Sequence, residues 1–92
     1  MFSQFVMNKK DGKTYRVTGN KIQSQNRIQV TGTTCKNVRH AQVAQSSLLP
    51  MTEFEGYLCM CAEKIIRCKK AMDETEHTIV QLYRILKKQV MA

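Results

Sequence analysis

Six cationic side chains are spread through a segment of this chain that contains no acidic residue. The segment runs for forty-one residues, from Gly12 to Thr52, without an aspartate or glutamate. Its cations are separated by Gln, Asn, Ser and Thr: Lys13, Arg16, Lys21, Arg27, Lys36 and Arg39. Such a surface has no carboxylate to neutralise it internally, and each phosphate that it meets releases counterions. The chemistry that these residue types predict is the binding of a polyanion.

The positive charge is concentrated in the first half of the chain. Residues 1–50 carry a net charge of +7, and residues 51–92 carry +1. We therefore predict that the first half binds nucleic acid and that the second half is a scaffold. RNA is favoured over DNA, because no recognition helix or basic zipper is visible and a flat polar sheet suits irregular or single-stranded targets. The predicted nucleic-acid-binding residues are Lys13, Arg16, Lys21, Gln23, Arg27, Gln29, Lys36 and Arg39.

Catalysis and metal binding have weaker support in the sequence. It holds no nucleophile motif, Gly-rich phosphate loop or pair of catalytic carboxylates. Cys59 and Cys61 lie about 200° apart around a predicted helix, so they cannot face one ion. We expect no enzymatic activity, no cofactor and no metal. The alternative, a metal-independent ribonuclease, would be assembled from Tyr15, Lys36, Arg39 and His40.

A second class of function involves a protein partner instead of a polyanion. The small size, the basicity and the many Met, Asn and Gln residues suggest a phage or viral accessory protein. Such a protein would bind and inhibit a host factor such as a nuclease, toxin or polymerase. A salt-sensitive shift of labelled RNA by the pure protein separates the two classes, because a pure protein-binder gives none at physiological salt.

Alternating apolar and polar residues predict that the first half is an antiparallel β-meander of three or four strands. Turn signals at Asp11-Gly12, Gly19-Asn20 and Asn26 separate the strands. Residues 36–45 fit neither a strand nor a helix. The alternation directs one set of side chains inward, and the opposite face then carries cations and amides with no aromatic residue among them. The inward residues are Tyr15, Val17, Ile22, Ile28 and Val30. Binding is accordingly expected to be dominated by the phosphate backbone and weakly sequence-specific.

The second half is predicted to be helical. Thr52 and Glu55 form a capping box, and Pro50 just before them suits a helix entrance. Apolar residues then recur at a spacing of three and four, and a stripe kept straight over five heptads predicts a coiled-coil partner. We assign homodimerisation to seven residues of this stripe: Phe54, Leu58, Ile65, Met72, Ile79, Leu82 and Leu86.

Two arrangements of this helical region remain open. No Gly or Pro occurs between 57 and 92, which favours one continuous or gently kinked helix. Charges near the middle fit a hairpin instead, because bases suit the end of one helix and acids the start of the next. These charges are Arg67, Lys69 and Lys70, followed by Asp73, Glu74 and Glu76.

Length and composition set the remaining expectations. We expect an α+β fold in a single domain of residues 1–92, with a basic β-rich part at 1–45 and a helical dimerisation part at 51–91. No signal peptide or spanning segment is visible, so we expect a cytoplasmic location, in the host if the protein is viral. The four cysteines lack a framework spacing and are expected to be reduced.

Overall fold

In the part of the chain that the structure describes, five strands form one antiparallel sheet, and two helices follow it. The structure is a computed structural model that describes residues 5–22, 26–33, 38–68 and 71–91. The strands are β1 (Phe5–Asn8), β2 (Thr14–Ile22), β3 (Arg27–Thr33), β4 (Val38–Ala44) and β5 (Leu48–Met51). The helices are α1 (Glu53–Cys68) and α2 (Glu74–Met91). The predicted α+β class is therefore confirmed, and the described residues form five strands in place of the predicted three or four.

The sheet curls until its two edges lie close together. Its strand order is β4-β3-β2-β1-β5, so β4 and β5 are opposite edges, yet only a 3-10 turn at Gln45–Ser47 joins them. All five strands contribute to one apolar cluster on the curled side, and no residue of α1 or α2 belongs to it. The buried members of this cluster are Val6, Tyr15, Ile28, Val30 and Leu48. The inward orientation predicted for Tyr15, Val17, Ile28 and Val30 is confirmed, and the Ile22 side chain lies outside the described part.

The helices pack on the other side of the sheet. Phe5 and Met7, which alternate with Val6 along β1, point to this side and meet the apolar residues of the helices. The Phe5 ring lies directly on Gly56 of α1, where a Cβ atom would come within 2.1 Å of the ring. Only a glycine lets α1 sit this close to β1. The helix-side core consists of Phe5, Met7, Met51, Cys59, Ala62, Ile65, Val80 and Tyr83.

Each helix begins at a reciprocal capping box. At α1, the Glu55 amide donates to Thr52 Oγ1 at 3.1 Å and the Thr52 amide donates to Glu55 Oε1 at 2.9 Å. At α2, the Glu76 amide donates to Asp73 Oδ1 at 2.8 Å and the Asp73 amide donates to Glu76 Oε1 at 3.3 Å. The second box starts a new helix without Gly or Pro, and α1 and α2 pack against each other. The single continuous helix is therefore wrong, and the hairpin is correct.

Two local predictions for the first half are also corrected. The hairpin turn at Gly19-Asn20 does not form, because β2 continues to Ile22. The pairing of β2 with β3 instead shifts register between Val17 and Lys21. The ambiguous segment 36–45 contains β4. The following strand, β5, was unexpected because Pro50 suggested a helix entrance, whereas Pro50 pairs with Val6 in this edge strand.

The cysteines differ in state. Cys59 is buried and free, and Cys61 is exposed and free. Cys68 carries a disulfide bond whose partner lies outside the described residues, so the expectation of a reduced thiol is wrong for Cys68. Within the described residues, neither helix is long and apolar enough to cross a membrane.

Candidate nucleic-acid interface

One part of the sheet carries an uncovered polar surface on the same side as the helices. α1 packs on β1 and β2, while the side chains on this side of β3 and β4 are exposed or half-buried. Strand pairing places Phe5, Arg16, Thr31 and His40 in one row across β1 to β4. Side chains two residues away along each strand share this side of the sheet. We call the polar surface the open face; its residues are Arg16, Thr18, Arg27, Gln29, Thr31, His40 and Gln42.

Arg16 is held in place at the helix end of the open face. Its guanidinium carbon lies 5.1 Å from the centre of the Phe5 ring, within the range of a cation–π interaction. Phe5 is completely buried, so the ring that supports the guanidinium is itself fixed by the core. Arg16 is only half-buried, and stacking by one flat surface leaves the N–H groups at the edge of the guanidinium free to donate.

Hydroxyl groups and an imidazole continue the row toward the sheet edge. Thr31 Oγ1 donates to Thr18 Oγ1 at 3.1 Å and lies 3.2 Å from Nδ1 of His40. These bonds link β2, β3 and β4 through their side chains on the open face. They orient three groups that can both donate and accept hydrogen bonds.

The open face contains a shallow groove of about 530 Å3. The groove lies across β2, β3 and β4, and its polar lining residues are Thr18, Arg27, Gln29, His40 and Gln42. Arg27 is exposed. Among the described residues the ion pair is formed by Arg67 and Glu63, and Arg27 takes no part in it. The charge of Arg27 is therefore available to a ligand.

The structure brings together only some of the residues predicted to bind nucleic acid. Arg16, Arg27 and Gln29 share the open face. Arg39 is exposed but pairs with Gly32 on the opposite side of the sheet, near enough to Tyr15 for its charge to act on that phenol. Lys13 precedes β2 and lies beside the helices. The Lys21, Gln23 and Lys36 side chains lie outside the described part.

The residue set suggested for a ribonuclease does not converge. Tyr15 is buried on the curled side of the sheet, whereas His40 is exposed on the open face. Arg39 and His40 are neighbours in β4 and therefore point to opposite sides. Burial and a hydrogen bond to Asp11 raise the pKa of Tyr15 to about 12, which keeps this phenol protonated and structural. Lys36 is outside the described residues.

A second polar site is closed beneath the helices. Glu63 of α1 is buried, and the Thr14 amide donates to both of its carboxylate oxygens, at 3.0 and 3.2 Å. The Thr14 hydroxyl donates to the same carboxylate at 2.6 Å, and Arg67 pairs with it at 3.4 Å. Tyr83 of α2 lies near Glu63. Burial, and then the negative charge of Glu63, raise the pKa of the Tyr83 phenol. We call Glu63 with Thr14, Arg67 and Tyr83 the closed site.

The closed site joins three elements of the fold. Thr14 begins β2, Glu63 and Arg67 lie one turn apart on α1, and Tyr83 comes from α2. Lys87 completes the arrangement, with its Nζ 3.3 Å from the Tyr83 hydroxyl and 5.5 Å from the ring centre. Because the carboxylate is surrounded by donors from this chain, the arrangement ties the hairpin to the sheet.

The residues predicted to form a dimer seam are divided by the hairpin. Ile65 is buried, and three others pack half-buried against the helix-side core: Met72, Ile79 and Leu86. Phe54 and Leu82 are exposed, and Leu58 is half-buried. Ile85, which was not among the predicted residues, is also exposed. Apolar surface for a partner therefore remains on the outside of the hairpin, while part of the predicted seam is used within the chain.

Comparison with protein-family models, with curated proteins and with solved structures finds no match to this chain. The interpretation of the open face therefore depends on its own geometry and chemistry.

Proposed function

We propose that this protein binds nucleic acid along the open face, with RNA favoured over DNA. The observation that carries the proposal is the composition of that face. It combines Arg16 and Arg27 with amide, hydroxyl and imidazole groups, and no acidic residue occurs anywhere in β2 to β5. A phosphate chain on the groove would meet cations and neutral donors without a carboxylate from the sheet to repel it.

The preference for RNA follows from the neutral polar groups. The hydroxyls of Thr18 and Thr31 and the amides of Gln29 and Gln42 can bond to the 2′-hydroxyl, which DNA lacks. The described elements place no helix in a position to enter a DNA major groove from the open face, which is a curved sheet. These contacts are made to the sugar-phosphate backbone of the RNA, so binding is weakly sequence-specific.

A homodimer would strengthen this binding without new contacts to the ligand, because two open faces could engage one strand. The exposed apolar residues Phe54, Leu82 and Ile85 on the hairpin support such an interface. We expect Ile85→Asp to turn a dimer into a monomer in sedimentation experiments while the melting temperature of the fold changes little. Ile79→Asp should lower the melting temperature, because Ile79 packs against the core. A parent protein that sediments as a monomer at every concentration contradicts the dimer.

The proposal is tested by the salt dependence of RNA binding. Arg27→Gln removes one exposed cation from the groove and should reduce the slope of log affinity against log salt by about 0.7–0.9. Lys88→Gln, at an exposed position on α2, is the matched control and should leave the slope unchanged. Equal slopes for the parent and Arg27→Gln would show that the open face does not hold the phosphates. A parent that binds neither RNA nor DNA at low salt would overturn the proposal as a whole.

One observation favours the alternative, in which the protein binds and inhibits a host protein. Phe54 is 75% exposed at the first turn of α1, and large exposed apolar residues are common at protein interfaces. The alternative predicts no salt-sensitive RNA shift. It also predicts that Phe54→Ala, and not Arg27→Gln, abolishes the activity of the protein toward its target.

A further inference from the structure

An exposed aromatic side chain from α1 lies within about 10 Å of Arg16 on the open face. Tyr57 is 52% exposed, and its ring packs edge-on against the Phe5 ring with 4.9 Å between the ring centres and 60° between the planes. The sequence alone placed no aromatic residue near the polar surface. Tyr57 reaches it because Gly56 allows α1 to approach β1 closely.

Tyr57 and Arg16 rest on the same buried ring. The Arg16 guanidinium lies 5.1 Å from the Phe5 ring centre, so Tyr57 and Arg16 lie within about 10 Å of each other. Phe5 belongs to the helix-side core, whereas Tyr57 does not. The tyrosine ring is thus fixed by a rigid neighbour while about half of its surface remains in solvent.

We propose that Tyr57 stacks a nucleobase while Arg16 pairs with a phosphate of the same strand. This inference rests on the proposed function and narrows the ligand to single-stranded nucleic acid or an unpaired loop. Aromatic side chains that flank a cationic groove stack bases of single strands, because an unpaired base can turn one flat surface to the protein. A base inside a duplex has its neighbours on both surfaces and cannot stack on the ring in this way.

The order of groups along the row fits this ligand. Along the row, Arg16, Thr31 and His40 present a guanidinium, a hydroxyl and an imidazole in that order, and the Tyr57 ring lies within about 10 Å of the guanidinium. A strand that runs along this row would place one base on the ring and its backbone over the cation and the hydroxyl. Guanidinium N–H groups lie in the plane of the group, so stacking on Phe5 does not prevent bonding to phosphate.

The first test uses affinity for an oligoadenylate strand, alone and annealed to its oligouridylate complement. The parent should bind the single strand more tightly than the duplex. Tyr57→Ala should reduce affinity for the single strand by about 5- to 100-fold, and Tyr57→Phe should retain it, because stacking needs the ring and not the hydroxyl. The salt slope should stay unchanged in both variants, since no charge is removed. Ile66→Ala, which also truncates an exposed apolar side chain of α1, is the control and should bind as the parent does.

The second test uses fluorescence and does not depend on the stability of the alanine variant. The chain contains no tryptophan, so Tyr57→Trp introduces a single reporter at the proposed stacking position. Oligoadenylate should quench its emission, and the annealed duplex should quench it much less. Absence of quenching at concentrations that saturate binding overturns the stacking proposal.

The two proposals fail in distinguishable ways. If Arg27→Gln flattens the salt slope while Tyr57→Ala binds as the parent does, nucleic-acid binding stands and base stacking is wrong. If Ile66→Ala loses as much affinity as Tyr57→Ala, the hairpin surface holds the ligand and the stacking proposal is overturned. If the parent binds neither strand nor duplex, both proposals fall.

Discussion

The closed site and the open face use polar groups in opposite ways. In the closed site, the buried carboxylate of Glu63 accepts hydrogen bonds from the Thr14 amide and hydroxyl and forms an ion pair with Arg67. On the open face, Arg27 is exposed and has no ion-pair partner among the described residues. A polar group that is satisfied by its own chain holds the fold together, whereas one left unsatisfied at the surface is available to a ligand.

The difference also explains where the acids of this chain are found. All the acidic residues after Gly12 lie between Glu53 and Glu76, in the helical region. Most lie at the capping boxes of α1 and α2, where the backbone amides of the first turn favour negative charge. Glu63 is the one in mid-helix, and it is turned away from the solvent. The separation of charge therefore has a structural cause on the helical side and a proposed functional cause on the sheet.

The largest effect is expected at the closed site. Glu63→Ala removes the common partner of β2, α1 and α2 and leaves buried donors unsatisfied, so the free energy of unfolding should fall by about 3 kcal/mol. Glu74→Ala, at the exposed first turn of α2, is the control and should lower the free energy of unfolding by less than about 1 kcal/mol. Urea unfolding measures both. An equal loss in the two variants would remove the distinction between the closed site and an ordinary surface carboxylate.

A smaller effect is expected from the phenol of Tyr15 at high pH. Its pKa is raised from 10 to about 12 in the folded protein, so above pH 10 the unfolded chain loses this proton first. The protonated phenol therefore contributes at most about 2–3 kcal/mol to the free energy of unfolding. This contribution is fully present below pH 10 and is lost as the pH rises to 12. Tyr15→Phe should therefore show a shallower alkaline loss of stability than the parent, measured by urea unfolding at several pH values. Parallel curves would mean that this phenol titrates alike in both states.

The fold was predictable where short-range patterns decide it. Alternation located Tyr15 and Val17 in β2 and Ile28 and Val30 in β3, and their burial follows the expected period. The capping box at Thr52 fixed the start of α1. The equivalent box at Asp73 and Glu76 was visible as a cluster of acids but was outweighed by the absence of Gly and Pro. A helix can end without either residue when a capping box starts the next one.

The parts that were not predictable depend on contacts between distant residues. β5 contains Pro50, which excludes a central strand but not an edge strand that pairs on one side. Which side of the sheet the helices cover is decided by Phe5 and Gly56, far apart in sequence. Contacts with the same Phe5 ring bring Tyr57 within about 10 Å of Arg16, so this aromatic neighbour of Arg16 has no local signal in the sequence. Glu63 had a weak local signal in the sequence, since Arg67 follows it by one helical turn and can pair with it.

The smallest effect is expected at the border between the two regions. Glu53 is exposed at the start of α1 and lies one turn before Tyr57, so its carboxylate is on the same side of the helix. The Glu53 carboxylate would repel the phosphates of a nucleic-acid strand that reaches Tyr57. Glu53→Gln should raise affinity for single-stranded RNA by about two- to threefold at low salt and by less at high salt. A fall in affinity would place the strand elsewhere.

The pairing of β1 with β5 has a consequence for the order of folding. Phe5 pairs with Met51, so β1 leaves the ribosome long before one of its two neighbours exists. Until then, the apolar side chains of Phe5, Val6 and Met7 have no complete cover on either side of the strand. Non-local pairing of this kind makes folding slow and leaves intermediates exposed to aggregation. The excess of positive charge in residues 1–50 would keep such nascent chains apart by mutual repulsion.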